Sequence, residues 1–394
     1  MGESSAPSPF TPGYGNKPAI FGGHEEELAE IKAVFSTLDF GENHSILVSG
    51  LRGVGKTSFL TTLQDAAKDA GWLVISDDAS AGLMDRVMDS TIPTLINSAT
   101  PDFRARLTSL GIWEFNAQVE YVDRHREVKP QLRSDLVALS EGLNGTGGIL
   151  ITIDEVSAGK VRVRELSKFA LQVSHAMSDG AQIMVVFAGV KVSLDALLEG
   201  EHTTFLRRSR ELDFTRLSPA ETRRVLEETA AIGGRTFEQA ALEKLVALAQ
   251  GYPYLVQLAG DYAWRNNSNA PTITVADADH AHDRAIRAVE RRVISRVYGD
   301  LSDVDQKFLD AMAEDDDRTR VADIVKRMGV SDQYVQVYKK RLIESGYVRP
   351  AGHGHVEFSL PYLGAYIRRR LASESKIDRT DSGWDAYPAP ELPS

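Results

Sequence analysis

Ser45–Ser49 reads as a short buried strand, and Lys56–Ala70 has helical spacing. Between and overlapping them lies Gly50-Leu51-Arg52-Gly53-Val54-Gly55-Lys56-Thr57, which fits G-x-x-x-x-G-K-[ST] at every fixed position. No other feature constrains the fold as strongly. A strand that runs through a glycine-rich turn into a helix aims backbone N–H groups at an anion lying on the positive helix terminus. Gly50, Leu51, Arg52, Gly53, Val54, Gly55, Lys56, Thr57 and Ser58 are therefore expected to bind the phosphates of a nucleotide. In this reading Lys56 neutralises the β and γ phosphates and the Thr57 hydroxyl ligates Mg²⁺.

The segments around this loop alternate in kind. Trp72–Ser76, Ile149–Ile153 and Ile183–Ala188 are apolar runs of strand length, and Glu211–Phe214 is a weaker one. Continuous apolar runs suit strands covered on both faces, as in a parallel sheet. With helical patterns between them, residues 19–217 are expected to form an α/β domain of the P-loop type. The third run ends in Asp154-Glu155, at the strand end where open parallel sheets bind ligands. Asp154 is expected to hold Mg²⁺ through water, and Glu155 to polarise the water that attacks the γ-phosphate.

The long connection from Asp77 to Gly148 shows helical patterns at Met84–Ile96 and Leu132–Leu143, with strand-like alternation over Trp113–Asp123. It carries no chemical motif.

The chain has 394 residues, room for two or three domains. It has no cysteine, which excludes disulfides, thiolate nucleophiles and cysteine-bound metal. No signal peptide or membrane-length apolar run is apparent, so a cytoplasmic protein is expected. Residues 1–18, rich in Ser, Pro and Gly, and 373–394, mixed in charge and proline, read as unstructured tails. The pairs His280/His282 and His353/His355 lack a supporting acid cluster and read as ordinary surface histidines.

With its phosphate loop and acid pair, the chain resembles the AAA+ ATPases, in the branch joining origin-recognition initiators to STAND-type signalling ATPases. Phe21-Gly22-Gly23-His24-Glu25-Glu26-Glu27-Leu28 is similar to the F-x-G-R-E-x-E-L box of that family, with His24 where arginine is usual. The resemblance implies that Phe21 and Gly23 border the adenine. Gly251-Tyr252-Pro253 resembles the G-x-P of the STAND lid, which implies that Tyr252 and Pro253 contact nucleotide; it also reads simply as a helix stop followed by a proline start.

The resemblance further implies an arginine acting on a neighbouring subunit's nucleotide. Arg207 fits the spacing best and Arg210 second, although Phe205–Arg210 also reads as a solvated basic patch. At the family's polar sensor position this chain has Phe187-Ala188-Gly189-Val190, which points to slow hydrolysis.

From Ser218-Pro219-Ala220-Glu221, a capping box, the pattern becomes helical, with helices at 219–231, 237–249, 254–265 and 275–298. Residues 218–298 are expected to form a lid and 299–372 a winged helix. Within the latter, Val321–Met328 and Asp332–Glu344 make a helix-turn-helix, and strands around Gly352 and Gly354 make a wing. Residues 318–372 hold eleven Lys/Arg and four Asp/Glu, including Lys339, Lys340, Arg341 and Arg349 on the candidate recognition surface. Tyr334, Val335, Val337 and Tyr338 make that helix more apolar than a base-reading face, so duplex DNA and a protein remain alternative partners. Arg284, Arg287 and Arg291 form a further basic stripe, which reads as a solvated face or a contact surface.

Taken together, the sequence implies an ATP- and Mg²⁺-dependent switch that hydrolyses ATP and forms an ATP-dependent homo-oligomer. The alternative is an ATP-dependent DNA-binding protein of origin-recognition or transposition-helper type.

Overall fold

The computed structural model describes residues 7–13, 16–109, 132–201 and 203–381. They fall into two compact units, Met1–Asp279 and His280–Ser394. The alternation expected at Trp113–Asp123 lies outside the described residues.

The first unit opens with α1 (Glu25–Thr37), β1 (Ser45–Gly50), α2 (Lys56–Asp69) and β2 (Leu73–Asp78). The connection that follows holds α3 (Leu83–Arg86), a π turn at Val87–Thr91, α4 (Ile92–Ser98), α5 (Pro101–Ser109) and α6 (Leu132–Gly142). Its apolar residues, among them Leu83, Val87, Ile96, Phe103, Leu107 and Leu136, join the core that covers one face of the sheet. Next come β3 (Ile149–Val156), α7 (Lys160–Ser178), β4 (Ile183–Gly189), α8 (Lys191–Leu198) and, after a 3₁₀ turn at Thr204–Arg208, β5 (Arg210–Phe214).

The strands form a parallel sheet in the order β2-β3-β4-β1-β5. β4 is buried along its whole length, and β1 and β3 nearly so, which is why they read as uninterrupted apolar runs. This is the P-loop AAA+ type of sheet expected from the sequence.

Six further elements complete this unit and lead out of it. They are α9 (Pro219–Ile232), β6 (Thr236–Phe237), α10 (Gln239–Ala249), α11 (Pro253–Asn266), β7 (Thr272–Ile273) and α12 (Val275–Val289), and the division into units falls within α12. The capping box forms: Glu221 N–H donates to Ser218 Oγ at 3.2 Å, and Ser218 N–H donates to Glu221 Oε2 at 2.6 Å. The helix expected over 275–298 is broken in character by a π segment at Glu290–Ile294 before α13 (Ser295–Gly299).

In the second unit, α14 (Asp303–Ala313) precedes β8 (Arg318–Arg320), α15 (Val321–Met328), α16 (Asp332–Glu344), β9 (Val348–Pro350), β10 (His355–Phe358) and α17 (Leu363–Asp381). The strands pair antiparallel in the order β8-β10-β9. Phe308, Met312, Ile324, Val335, Leu342, Val348 and Ile367 make its core.

Two expectations about the ends are corrected. α17 continues to Asp381, past residue 373 where a tail was expected. Nor are the described residues 7–13 and 16–18 a free tail: Phe10 is 2% exposed, edge-on to Trp264 with ring centroids 6.4 Å apart. No helix among the described residues is long and apolar enough to cross a membrane.

Candidate nucleotide site

β1 and β3 are not neighbours; β4 runs between them. Gly189 at the end of β4 pairs with Ser49 on one side and Val156 on the other, so the phosphate loop and the acid pair emerge on either side of it. A Cβ at Gly189 would stand 3.0 Å from Val156, a tight contact.

The loop and the acids meet directly. Thr57 Oγ1 donates to Asp154 Oδ2 at 2.6 Å, joining the two residues expected to share a metal ion. Asp154 Oδ1 accepts from the Glu155 N–H at 2.8 Å. Glu155 has φ +54, and the β3–β4 register shifts between Ile153 and Val156. This bulge turns the Glu155 side chain away from the regular alternation of the strand. A non-glycine residue in the left-handed region is costly, and such conformations gather at functional sites.

Lys56 Nζ donates to the carbonyls of Gly50 at 2.7 Å and Leu51 at 2.8 Å. Burial pushes its ammonium down to about 8, against an opposing pull from Asp154, with Arg52 adding to the depression. A desolvated lysine held by two carbonyls is ready to exchange those neutral acceptors for phosphate oxygens, which bind it far more strongly.

Tyr252 is 1% exposed, and its hydroxyl donates to the Arg52 carbonyl at 2.6 Å. Burial pushes its phenol pKa up, so it remains a donor. Gly53 has φ +81, and a Cβ there would lie 2.0 Å from the Tyr252 hydroxyl. Only glycine fits at this place in the loop. The adjoining Gly251, at φ +71, would bring a Cβ within 2.1 Å of the Leu217 carbonyl, while Leu217 N–H donates to Gly251 O at 2.7 Å. Gly251-Tyr252-Pro253 thus packs against the chain leaving β5 and against the phosphate loop.

A cavity of about 440 Å³ is lined by Arg52–Ser58, Asp154–Ser157, Arg162, Gly189 and Val190. Phe21, Gly22, Leu217, Val225, Pro253, Tyr254, Val256 and Gln257 also line it, as do Thr11–Gly13, Asn16, Pro18 and Ile20. Of the expected residues, Phe21, Arg52, Gly53, Val54, Gly55, Lys56, Thr57, Ser58, Asp154, Glu155 and Pro253 therefore come together around it. Gly50, Leu51, Gly23 and Tyr252 are not among its lining residues.

The Phe21 ring packs with Phe59 and Phe214 at centroid distances of 6.0 and 6.4 Å. His24, where the resemblance implies arginine, stacks on Phe214 at 4.3 Å. It also caps α1 with φ +58 and sits 3.3 Å from Glu27.

Arg207 does not line the cavity. It is exposed on the 3₁₀ turn ahead of β5, its Nε donating to the Leu198 carbonyl at 3.4 Å. Arg210 is tied into the fold by Glu30 at 2.7 Å, Glu42 at 3.4 Å and Asn43 at 3.0 Å, whereas Arg207 and Arg208 are both exposed. Among the described residues no group of three or more His, Asp or Glu side chains is arranged as a metal cluster.

The sequence reading missed Thr11, Asn16, Ser157, Arg162 and Gln257. A signal existed for Gln257 alone, which follows Pro253 by one helical turn and shares its face.

Comparison with solved structures places this architecture. The Walker-type ATPase PABY2304 of Pyrococcus abyssi superimposes with a TM-score of 0.61 at 15% identity, covering 89% of this chain and 97% of that one. The Aeropyrum pernix ORC2 protein, solved as ADPNP–ADP complexes, gives a TM-score of 0.56 at 14% identity, covering 93% of this chain and 98% of that one. At such identities the likeness is one of fold: the chain has the AAA+ P-loop ATPase fold shared with archaeal origin-recognition and Walker-type ATPases. A family profile described as a domain of unknown function (DUF8462) matches residues 292–367. No curated protein matches the chain.

Proposed function

We propose that this protein is an AAA+/STAND-like ATPase that binds ATP with Mg²⁺, hydrolyses it to ADP and phosphate, and uses the cycle as a switch. The contact between Thr57 and Asp154 at 2.6 Å carries this reading, because it joins the two motifs at one point of a cavity that Lys56 also lines. Thr57 and Asp154 would hold Mg²⁺, directly and through water. Lys56 and the loop N–H groups neutralise phosphate charge, and Glu155 orients the attacking water. Phosphoryl transfer to water depends chiefly on positioning and charge neutralisation, so these four side chains dominate the rate.

Residues 218–298 act as the lid, coupled to the phosphate loop through Tyr252. A neighbouring subunit supplies Arg207, so turnover requires an ATP-dependent homo-oligomer.

Residues 299–372 serve as a winged helix that carries the output. A protein partner is favoured over duplex DNA by the state of its charges. Arg341 is paired with buried Asp305 at 2.6 Å, Arg349 with Glu357 at 2.6 Å and Lys340 with Glu344 at 3.6 Å, while Tyr334 and Val337 on α16 are 39% and 64% exposed. Apolar side chains left outward between neutralised cations suit a protein surface better than a phosphate backbone. The second reading, an origin-recognition-like DNA-binding ATPase, is supported by the fold.

Mg²⁺-dependent phosphate release from ATP, absent in Lys56→Ala, tests the site. Mass measurement with and without a non-hydrolysable ATP analogue tests assembly. ATP-sensitive duplex binding that weakens steeply with salt would favour the second reading.

A further inference from the structure

The described residues Phe10–Gly13 and Asn16–Ile20 form a strap with two anchors. At one, the Phe10 ring lies so close to Gly260 on α11 that a Cβ there would stand 2.4 Å from it. At the other, Lys17 Nζ pairs with Asp65 Oδ2 on α2 at 2.8 Å. Between them Thr11 Oγ1 donates to the Lys17 carbonyl at 3.1 Å, and the Thr11 N–H donates to Gln257 Oε1 at 3.0 Å.

The last bond fixes the Gln257 amide. Its oxygen is taken as an acceptor by the strap, so the nitrogen, with two N–H donors, is the group left for the cavity that Gln257 lines. Gln257 is 9% exposed, and its Nε2 is not among the buried side-chain atoms that lack a partner, so the amide nitrogen is open to the cavity. A donor amide fixed at a cavity wall is placed to meet an acceptor on a ligand. The strap and lid side chains around it carry no carboxylate; the acids lining the cavity are Asp154 and Glu155, beside the phosphate loop.

We propose that Gln257, oriented by the Thr11 N–H, reads the nucleobase by donating from Nε2 to a ring nitrogen of adenine, with the strap as one wall of the base pocket. Adenine offers such acceptors, whereas guanine also presents N1–H and N2–H₂ donors that find no carboxylate there. This assignment rests on the proposed ATP site.

Calorimetric titration of the full chain with ATP, GTP and inorganic tripolyphosphate, each with Mg²⁺, tests it. Gln257→Glu keeps the acceptor for Thr11 but removes the donors, and Gln257→Met keeps the length without polarity. Both are expected to weaken ATP binding about tenfold and to reduce the ATP-over-GTP preference, with tripolyphosphate affinity unchanged. An unchanged ATP/GTP ratio in both variants overturns the proposal, as does a loss of tripolyphosphate affinity in step with ATP. Wild-type protein that binds tripolyphosphate as tightly as ATP overturns base reading and leaves the phosphate site standing. Wild-type protein that binds neither overturns the ATP site and this assignment together.

Discussion

The hydroxyl of Tyr252 and the carbonyl of Arg52 are 2.6 Å apart, so the first turn of α11 is hydrogen-bonded to the phosphate loop itself. Any shift of the loop toward phosphate is felt by the helix that follows Gly251. Tyr252→Phe removes the bond but keeps the ring. It is expected to cost about 1 kcal/mol, the usual net worth of such a bond, and to lower the melting temperature of the nucleotide-free protein by about 2 °C. ADP dissociation, followed by stopped-flow fluorescence of a labelled nucleotide, should become several-fold faster. An unchanged dissociation rate would mean that the bond does not couple lid to loop.

Lys56 makes nucleotide binding depend on pH. In the free protein burial brings its ammonium to about 8 from an ordinary value of 10.5, and bound triphosphate charge holds the proton on. Binding should therefore take up a proton between about pH 8 and 10.5, and affinity should fall as pH rises through that window. Calorimetry at pH 8.5 in buffers of different ionisation enthalpy measures the uptake. The unfolded chain binds more protons than the folded one across the same window, so the nucleotide-free protein gains stability there as pH rises.

Glu155→Gln removes the base while leaving Lys56, Thr57 and Asp154 in place. ATP binding should persist and phosphate release fall by about 10²-fold or more. Turnover near that of the wild type would remove Glu155 from the mechanism.

Arg207 and Glu155 are expected to act on the same phosphate from different subunits. Arg207→Ala and Glu155→Gln should each be nearly inactive alone. A mixture should recover part of the activity, because some interfaces then combine an intact Arg207 with an intact Glu155. A mixture no more active than its components would show that Arg207 does not act across an interface.

Arg341 illustrates how charge on α16 is committed to the fold. Asp305 is fully buried and also accepts from the Ser302 hydroxyl at 2.6 Å. Removing Arg341 leaves that carboxylate without its cation. Since Arg341 is itself half exposed, Arg341→Ala should cost about 1–3 kcal/mol, read as a lower urea midpoint. Val337→Asp, at an exposed position, should leave the midpoint unchanged and weaken partner binding.

Much of the site was legible because its chemistry is local in sequence. Eight consecutive residues encode the phosphate loop, and the acid pair ends an apolar run of the length and kind that suits a buried strand. The strap was not legible. Its Pro, Gly and Ser content has the composition of a tail, and the socket that orders Phe10 is made by Gly260 and Trp264, some 250 positions away. The continuation of α17 through Ser373–Asp381 was hidden likewise, since that stretch has no apolar periodicity to mark it. On α16 the sequence named the right side chains but not their partners: Val335 is core, Val337 faces outward, and Arg341 belongs to Asp305.

The strap has one more consequence, a matter of length. Lys17, fastened to α2, follows Phe10, seated in α11, by seven positions, and a fully extended chain of seven steps spans only about 25 Å. It is a leash. Were α11 to swing away from the sheet, the leash would become taut, and beyond that the Phe10 ring would have to leave its socket or Lys17 to release Asp65. Opening of the site therefore has a mechanical stop, set by residue count and by the weaker of two fastenings.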